Sequence, residues 1–138
     1  MEVLAKSLCI QVRTWDLTGK VRFRSLVASI YPRAQGAILT YSTTDRASFL
    51  TIPEWMESIR QLAPKTAMIL VGTKADLGSA REVSYCEGAQ LAERLRVPFL
   101  ETSAKACMHV EEAFYALLVL VGQGRFSTKF GFTKEAIR

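Results

Sequence analysis

Cysteine and histidine are scarce in this 138-residue sequence, which has three cysteines, Cys9, Cys86 and Cys107, and a single histidine, His109. The cysteines show no CxxC spacing, and an odd number argues against a disulfide framework. We therefore expect reduced thiols in the core or at the surface. His109 has no partner at metal-ligand spacing, which argues against a zinc site.

The spacing of the glycines excludes a phosphate-binding loop of the G-x-x-x-x-G-K-[ST] type within this sequence. The eight glycines stand at positions 19, 36, 72, 78, 88, 122, 124 and 131, and no two are five apart. The sequence therefore contains no G-x-x-x-x-G-K-[ST] string, the loop that wraps nucleotide phosphates. The nearest substitute, Gly122-Gln123-Gly124, follows a helical pattern instead of preceding one, so we expect a helix stop there.

Long hydrophobic runs are missing as well. The longest strongly apolar run, residues 115–121, is far too short to cross a bilayer. The first nine residues, MEVLAKSLC, lack the zones of a secretory signal. We therefore expect a cytoplasmic protein.

The net charge of +5 is concentrated at the C-terminus, where residues 125–138 carry four basic side chains against one acid, Glu135. A basic tail can meet acidic lipid or nucleic acid. A short solvated tail after a domain of residues 1–124 is the favoured interpretation, and no nucleic-acid partner is expected.

Short apolar runs alternate with helix-like patterns along the chain. Strands are predicted at residues 7–15, 37–41, 67–72 and 97–100. This alternation is typical of an α/β fold with three layers, in which helices cover both faces of a mostly parallel sheet.

The predicted helices have recognisable ends. Ser84 and Glu87 form a capping box in front of one helix, and residues 110–121 carry the apolar stripe of the last helix, which Gly122 is expected to stop. A further helix should cover residues 47–62, where Pro53 either lies near a start at Ile52 or produces a kink.

Three loops follow predicted strands and hold polar residues: DLTG at 16–19, TKAD at 73–76 and ETSAK at 101–105. Ligands of open parallel sheets bind at the carboxyl ends of the strands. Each loop alone is a weak signal, because Asp76 could simply begin a turn and Ser103 could cap a helix. Their order and placement are stronger together.

With these loops, the chain resembles the Rab branch of the Ras-like small GTPases. Residues 15–49, WDLTGKVRFRSLVASIYPRAQGAILTYSTTDRASF, look like the segment from the third strand through the second switch into the next strand. LVGTKADL resembles the guanine-specificity loop, and ETSAK matches the last base-binding loop. The resemblance runs from about residue 2 to residue 121 and favours a guanine-site ancestry.

The resemblance implies roles for residues of two loops, TKAD at 73–76 and ETSAK at 101–105, which we call the base loops. Asp76 would accept two hydrogen bonds from the guanine edge, and Lys74 would lie over the base and ribose. The backbone N–H of Ala104 would bond the base carbonyl, with Ser103 and Lys105 shaping the loop. Thr73 stands where asparagine is usual, a mild departure.

The resemblance also implies a phosphate side of the site. Asp16 would reach a magnesium ion through water, and the Gly19 N–H would touch the terminal phosphate. Lys20 occupies the position of the water-orienting glutamine, and an ammonium can only donate. We therefore expect no catalytic residue there. Trp15 matches one aromatic of the effector surface, while Ile30 replaces a usual tyrosine.

Several family elements are not found in the sequence: the phosphate loop, the first strand and helix, and the first switch. The chain is thus expected to begin about a third of the way into the family pattern. The first strand of the family lies between the strand ending at Trp15 and the strand at 37–41. We expect these two neighbours to pair directly, residues 2–10 to fill the gap, or a partner to cover it. The C-terminal prenylation cysteines are also missing, so no stable membrane anchor is expected.

The resemblance implies a GTP-binding regulator of vesicle and membrane traffic that uses GTP or GDP, Mg²⁺, and effector or regulator proteins. The departures lead us to expect impaired nucleotide binding and little or no hydrolysis. The alternative is a nucleotide-free pseudo-GTPase that serves as a protein-binding module. ETSAK and TKAD argue against an unrelated flavodoxin-like protein.

Overall fold

The computed structural model describes residues 12–125 and shows a three-stranded parallel sheet. The strands are β1 (Gly36–Ser42), β2 (Ala67–Thr73) and β3 (Phe99–Glu101), in that spatial order. The predicted strands at 37–41 and 67–72 are confirmed within one residue at each end. The strand predicted at 97–100 begins two residues later, because the Val97 N–H bonds the end of the preceding helix and Pro98 has no N–H to give.

Helices connect and flank the strands. They are α1 (Arg24–Ala28), α2 (Arg46–Leu50), α3 (Ile52–Leu62), α4 (Tyr85–Leu95) and α5 (Val110–Arg125), with short 3₁₀ helices at Val21–Phe23, Tyr31–Arg33 and Gly78–Ala80.

The core lies on both faces of the sheet. On one face, Leu70 of β2 and Tyr41 of β1 pack in a buried cluster with Met56 of α3. On the other face, Ile69 and Val71 of β2 pack with Ala113 of α5. Alternate residues of β2 therefore serve opposite faces, as the strand period requires. The three-layer α/β arrangement predicted from the sequence is confirmed.

The helix ends follow local chemistry. Both arms of the predicted capping box are present: Ser84 Oγ accepts from the Glu87 N–H at 3.3 Å, and the Glu87 carboxylate accepts from the Ser84 N–H at 2.9 Å. Pro53 lies at the start of α3, after a break at Thr51 that separates it from α2. Of the two alternatives for Pro53, the start at Ile52 is confirmed.

The predicted stop at Gly122 is wrong, because α5 continues to Arg125. A Cβ at Gly122 would meet only open space, and no glycine among residues 12–125 has a positive φ. Gly122 therefore forms no turn, and the helix tolerates it at a cost of about 1 kcal/mol relative to alanine.

The strand predicted at 7–15 is wrong for residues 12–15, which form no strand. In the described part of the chain β1 pairs only with β2, so direct pairing of residues 12–15 with β1 does not occur. A strand needs such a neighbour to satisfy its backbone groups, and Val12 and Trp15 are exposed instead. Residues 7–11, and the filling of the gap by residues 2–10, lie outside the described residues.

Candidate guanine-binding site

The loop after β2 is fastened to the end of β1. Thr73 Oγ1 donates to the Tyr41 carbonyl at 2.9 Å, and the Thr43 N–H donates to the Thr73 carbonyl at 2.9 Å. Thr43 Oγ1 also donates to the Lys74 carbonyl at 3.1 Å. Lys74 has a φ of 61°, a left-handed conformation that few residues other than glycine adopt. The loop geometry is thus held by partly buried hydrogen bonds.

The loop after β3 is bonded to the same edge. The Thr102 N–H donates to the Gly72 carbonyl at 2.8 Å, and the Ala75 N–H donates to the Thr102 carbonyl at 3.1 Å. These two bonds bring residues 73–76 beside residues 101–105. Two of the three polar loops predicted from the sequence therefore meet at the carboxyl ends of β2 and β3.

Asp76 and Ser103 are in direct contact across the two loops. Ser103 Oγ donates to Asp76 Oδ1 at 2.5 Å and accepts from the Ala106 N–H at 3.0 Å. Ser103 is fully buried, and its backbone exchanges two hydrogen bonds with Met108, of 3.0 and 2.8 Å. Asp76 is exposed. Buried Ser103 thus fixes one carboxylate oxygen of Asp76, while Asp76 as a residue stays exposed.

Three further residues of the two loops are open to solvent. Lys74, Ala104 and Lys105 are exposed. No acceptor within residues 12–125 takes the Ala104 N–H. A carboxylate and a free backbone N–H on adjoining loops match the edge of guanine, which offers N–H donors beside a carbonyl oxygen.

An ion pair that the sequence reasoning missed supports the end of β3. Arg81 donates to both carboxylate oxygens of Glu101, at 2.6 and 2.9 Å. Burial, followed by the nearby Glu101 charge, raises the pKa of Tyr41 to about 12. No local motif marks either Arg81 or the Thr43 contact, since both depend on residues at least 20 positions away.

The residues predicted for the phosphate side of the site belong to a segment separate from the two base loops. Asp16, with Leu17, Thr18, Phe23, Val27 and Ile30, lines an open groove of about 320 Å³. Lys20 is exposed, and its N–H donates to Thr18 Oγ1 at 3.3 Å. A Cβ at Gly19 would meet nothing within 4 Å. No described hydrogen bond joins this segment to the base loops.

A metal ion would find few protein ligands in the described part of the chain. Within residues 12–125 no three His, Cys, Asp or Glu side chains come together in a way that could hold a metal ion. Asp16 brings one exposed carboxylate, and Mg²⁺ in nucleotide sites is commonly held by one or two carboxylates together with waters and phosphate oxygens. Asp16 would supply that carboxylate where a nucleotide and its magnesium ion bind.

The parallel sheet, the covering helices and the paired base loops define the class of protein. The Ras family model matches residues 1–123, and the chain belongs to this family. None of the helices described between residues 12 and 125 is long and apolar enough to cross a membrane.

The similar proteins narrow the class to a Rab-like branch. Ras-related protein RABA6b of Arabidopsis thaliana is 44% identical over 110 residues, which cover 79% of this chain and 48% of that protein. GTP-binding protein ypt2 of Schizosaccharomyces pombe is 35% identical over 128 residues, 92% of this chain and 64% of its own length. Ras-related protein SEC4 of Candida albicans is 37% identical over 128 residues, with 92% and 61% covered. The chain is Rab-like and spans between about half and two-thirds of the length of these relatives.

Proposed function

We propose that this chain carries the base-recognising part of a Rab-like regulator of vesicle traffic, and that it selects guanine without gripping the phosphates. In this proposal Asp76 accepts from the guanine edge, the Ala104 N–H donates to the base carbonyl, and Lys74 covers the base. Thr73, Ser103 and Lys105 shape the two loops. Residues 1–124 form the domain and residues 125–138 a basic tail.

The contact between Ser103 Oγ and Asp76 Oδ1, at 2.5 Å, carries the proposal. Because Ser103 is itself fixed by backbone bonds to Met108, the Asp76 carboxylate is oriented before a ligand arrives. A preoriented acceptor loses less conformational freedom on binding.

The free energies of the expected contacts limit the affinity of a site that binds only the base. A hydrogen bond to a charged group contributes about 1.5–3 kcal/mol, so two at Asp76 give roughly 3–6 kcal/mol. Association costs at least about 4 kcal/mol. Base contacts alone therefore lead to dissociation constants of about millimolar or weaker.

Hydrolysis is not part of the proposal. The sequence has no G-x-x-x-x-G-K-[ST] string, and the Lys20 ammonium cannot accept a hydrogen bond from an attacking water. Phosphate release from GTP is expected to equal the rate without protein. Lys20→Gln alone is expected to leave that rate unchanged, because it restores no phosphate contact.

A titration with nucleosides tests base selection. Chemical-shift changes of the labelled protein would be followed with guanosine and with adenosine, for the wild type and for Asp76→Asn. We expect guanosine to bind more tightly, and Asp76→Asn to weaken that preference. Glu93→Gln, at an exposed position of α4, removes the same charge away from the loops and should leave it intact. Equal weak binding of both nucleosides, unchanged in Asp76→Asn, would remove the guanine site.

A nucleotide-free protein-binding module is the second candidate. Its supporting observation is Trp15, which is 62% exposed and directly precedes Asp16, a residue that lines the open groove with Leu17 and Ile30. Exposed aromatic residues are common anchors of protein interfaces. Binding of a Rab effector that is lost in Trp15→Ala and is indifferent to guanosine would favour this candidate.

For both candidates we place the protein in the cytoplasm, peripheral to membranes through effector or regulator proteins, as its likeness to Rab proteins implies.

A further inference from the structure

All polar atoms of Thr43 form hydrogen bonds, either to the loop of residues 73–76 or to the segment before α4. Its N–H donates to the Thr73 carbonyl at 2.9 Å, and its Oγ1 donates to the next carbonyl, that of Lys74, at 3.1 Å. Its own carbonyl accepts from the N–H groups of Glu82 and Val83, at 2.8 and 3.0 Å. Thr43 is fully buried. It therefore ties the end of β1 both to the base loop and to the segment before α4.

The Lys74 carbonyl receives two donors. One is Thr43 Oγ1 at 3.1 Å, and the other is the Leu77 N–H at 3.0 Å, which closes the turn around Asp76. A carbonyl oxygen has two lone pairs, so this oxygen is fully used. Two donors from different directions fix the plane of the peptide that joins Lys74 to Ala75.

The conformation of Lys74 needs such support. A φ of 61° is costly for a residue with a Cβ and persists only where the surroundings impose it. The residue is exposed, so burial of its side chain does not impose the conformation. The bonds of its backbone to Thr43 and Leu77 do.

We infer that Thr43 is a positioning residue for base recognition: its hydroxyl holds Lys74 in the left-handed conformation and thereby sets where the Lys74 stem and the Asp76 carboxylate lie. This inference rests on the proposed function of the base loops. Thr43 does not touch the base in this account and acts through the Lys74 carbonyl.

The test compares Thr43→Val, which removes the hydroxyl and keeps the shape, with Thr43→Ser, which keeps the hydroxyl. Thr66→Val is the matched control, because Thr66 Oγ1 donates to the Ala34 carbonyl at 3.0 Å, a bond of the same type before the opposite end of β2. The readouts are the Cα and Cβ chemical shifts of Lys74, which report its backbone conformation, and the preference for guanosine over adenosine.

Thr43→Val is expected to move the Lys74 shifts away from left-handed values and to lower the guanosine preference roughly three- to tenfold, the value of one hydrogen bond. Thr43→Ser should retain both properties, and Thr66→Val should retain both while losing stability. If Thr43→Val does not fold, Thr43→Cys replaces it, and its weaker donor should shift both readouts part of the way.

Unchanged Lys74 shifts in Thr43→Val would overturn the inference, as would the same losses in Thr66→Val. If the wild type shows no guanosine preference, the proposed function fails. The Lys74 shifts then decide the positioning role on their own.

Discussion

The Arg81 guanidinium donates two hydrogen bonds, of 2.6 and 2.9 Å, to the Glu101 carboxylate, where β3 ends and the loop of residues 101–105 begins. The Arg81 and Glu101 side chains are only 25% and 11% exposed. Arg81 also donates to the Val83 carbonyl at 3.0 Å. The pair therefore links β3 to the segment that leads into α4.

We predict an energetic coupling of about 1–2 kcal/mol between Arg81 and Glu101, because charged hydrogen bonds in a partly buried pair are worth more than exposed ones. Denaturant unfolding of Arg81→Met, Glu101→Met and the double variant would measure it. The pair Arg46–Glu87 is the comparison, since its side chains are 49% and 36% exposed and should couple by less than about 1 kcal/mol. Equal coupling in the two pairs would contradict the prediction.

Gly88 is expected to tolerate no larger residue. A Cβ there would lie 2.3 Å from the Tyr41 hydroxyl oxygen and 2.4 Å from Cζ of Phe99. Gly88→Ala should therefore destabilise the protein by about 1–3 kcal/mol, the usual cost of overpacking. Gly122→Ala provides the control, because its Cβ would meet open space in a helix and should stabilise by up to about 1 kcal/mol. Thermal unfolding of both variants checks the opposite signs.

The contacts of the Glu87 carboxylate lead us to predict that the folded protein loses stability at acid pH. Hydrogen bonding from Arg46, and then from Ser84, lowers the pKa of Glu87 to about 2 from 4.5. A lowered pKa in the folded state gives stability that is present above pH 4.5 and is lost as the pH falls toward 2. Unfolding measured across this window should show a smaller loss in Glu87→Gln than in the wild type. Parallel profiles for the two proteins would show that the Arg46 and Ser84 contacts do not form in solution.

The strands β1 and β2 and the two base loops were predictable from the sequence because their signals are local. Apolar runs mark β1 and β2, and the capping box at Ser84 needs only a serine and a glutamate three residues apart. The loop TKAD lies at the end of β2 and ETSAK at the end of β3, so their meeting at one edge followed from the parallel topology.

The remaining features depend on contacts distant in sequence. The Thr43 hydroxyl meets a carbonyl 31 positions away, and nothing in the neighbourhood of Thr43 signals that contact. Residues 12–15 have strand-like composition, yet a strand forms only where a neighbour pairs with it. Gly122 was misread because a glycine in open space can remain helical.

Within residues 12–125, β1 pairs with a strand on one side only, and this predicts a pattern of amide exchange. Ala67 donates to the Gln35 carbonyl and Thr43 donates to the Thr73 carbonyl, so odd-numbered residues at this strand face β2. The amides of Ile38 and Thr40 then point away from β2, since a parallel strand alternates its bonding direction. Hydrogen exchange should be slow at odd-numbered positions within β1 and fast at Ile38 and Thr40.

The same experiment detects a covered edge. Residues 12–15 should also exchange fast, because they form no strand. Slow exchange at Ile38 and Thr40 at every protein concentration would mean that another segment of the chain pairs with β1. Protection that appears only at high concentration would mean self-association through this edge.

Comparison of guanosine with GDP is the measurement that tests most directly whether base recognition is separate from phosphate binding in this chain. Both ligands would be titrated into the protein under the same buffer and salt, with adenosine and ADP as the pair that reports general attraction to the positive net charge. The account predicts that guanosine and GDP bind within about tenfold of each other, at about millimolar dissociation constants or weaker, and that the adenine pair shows the same small difference. Micromolar or tighter binding of GDP, with no matching gain for ADP, would contradict it.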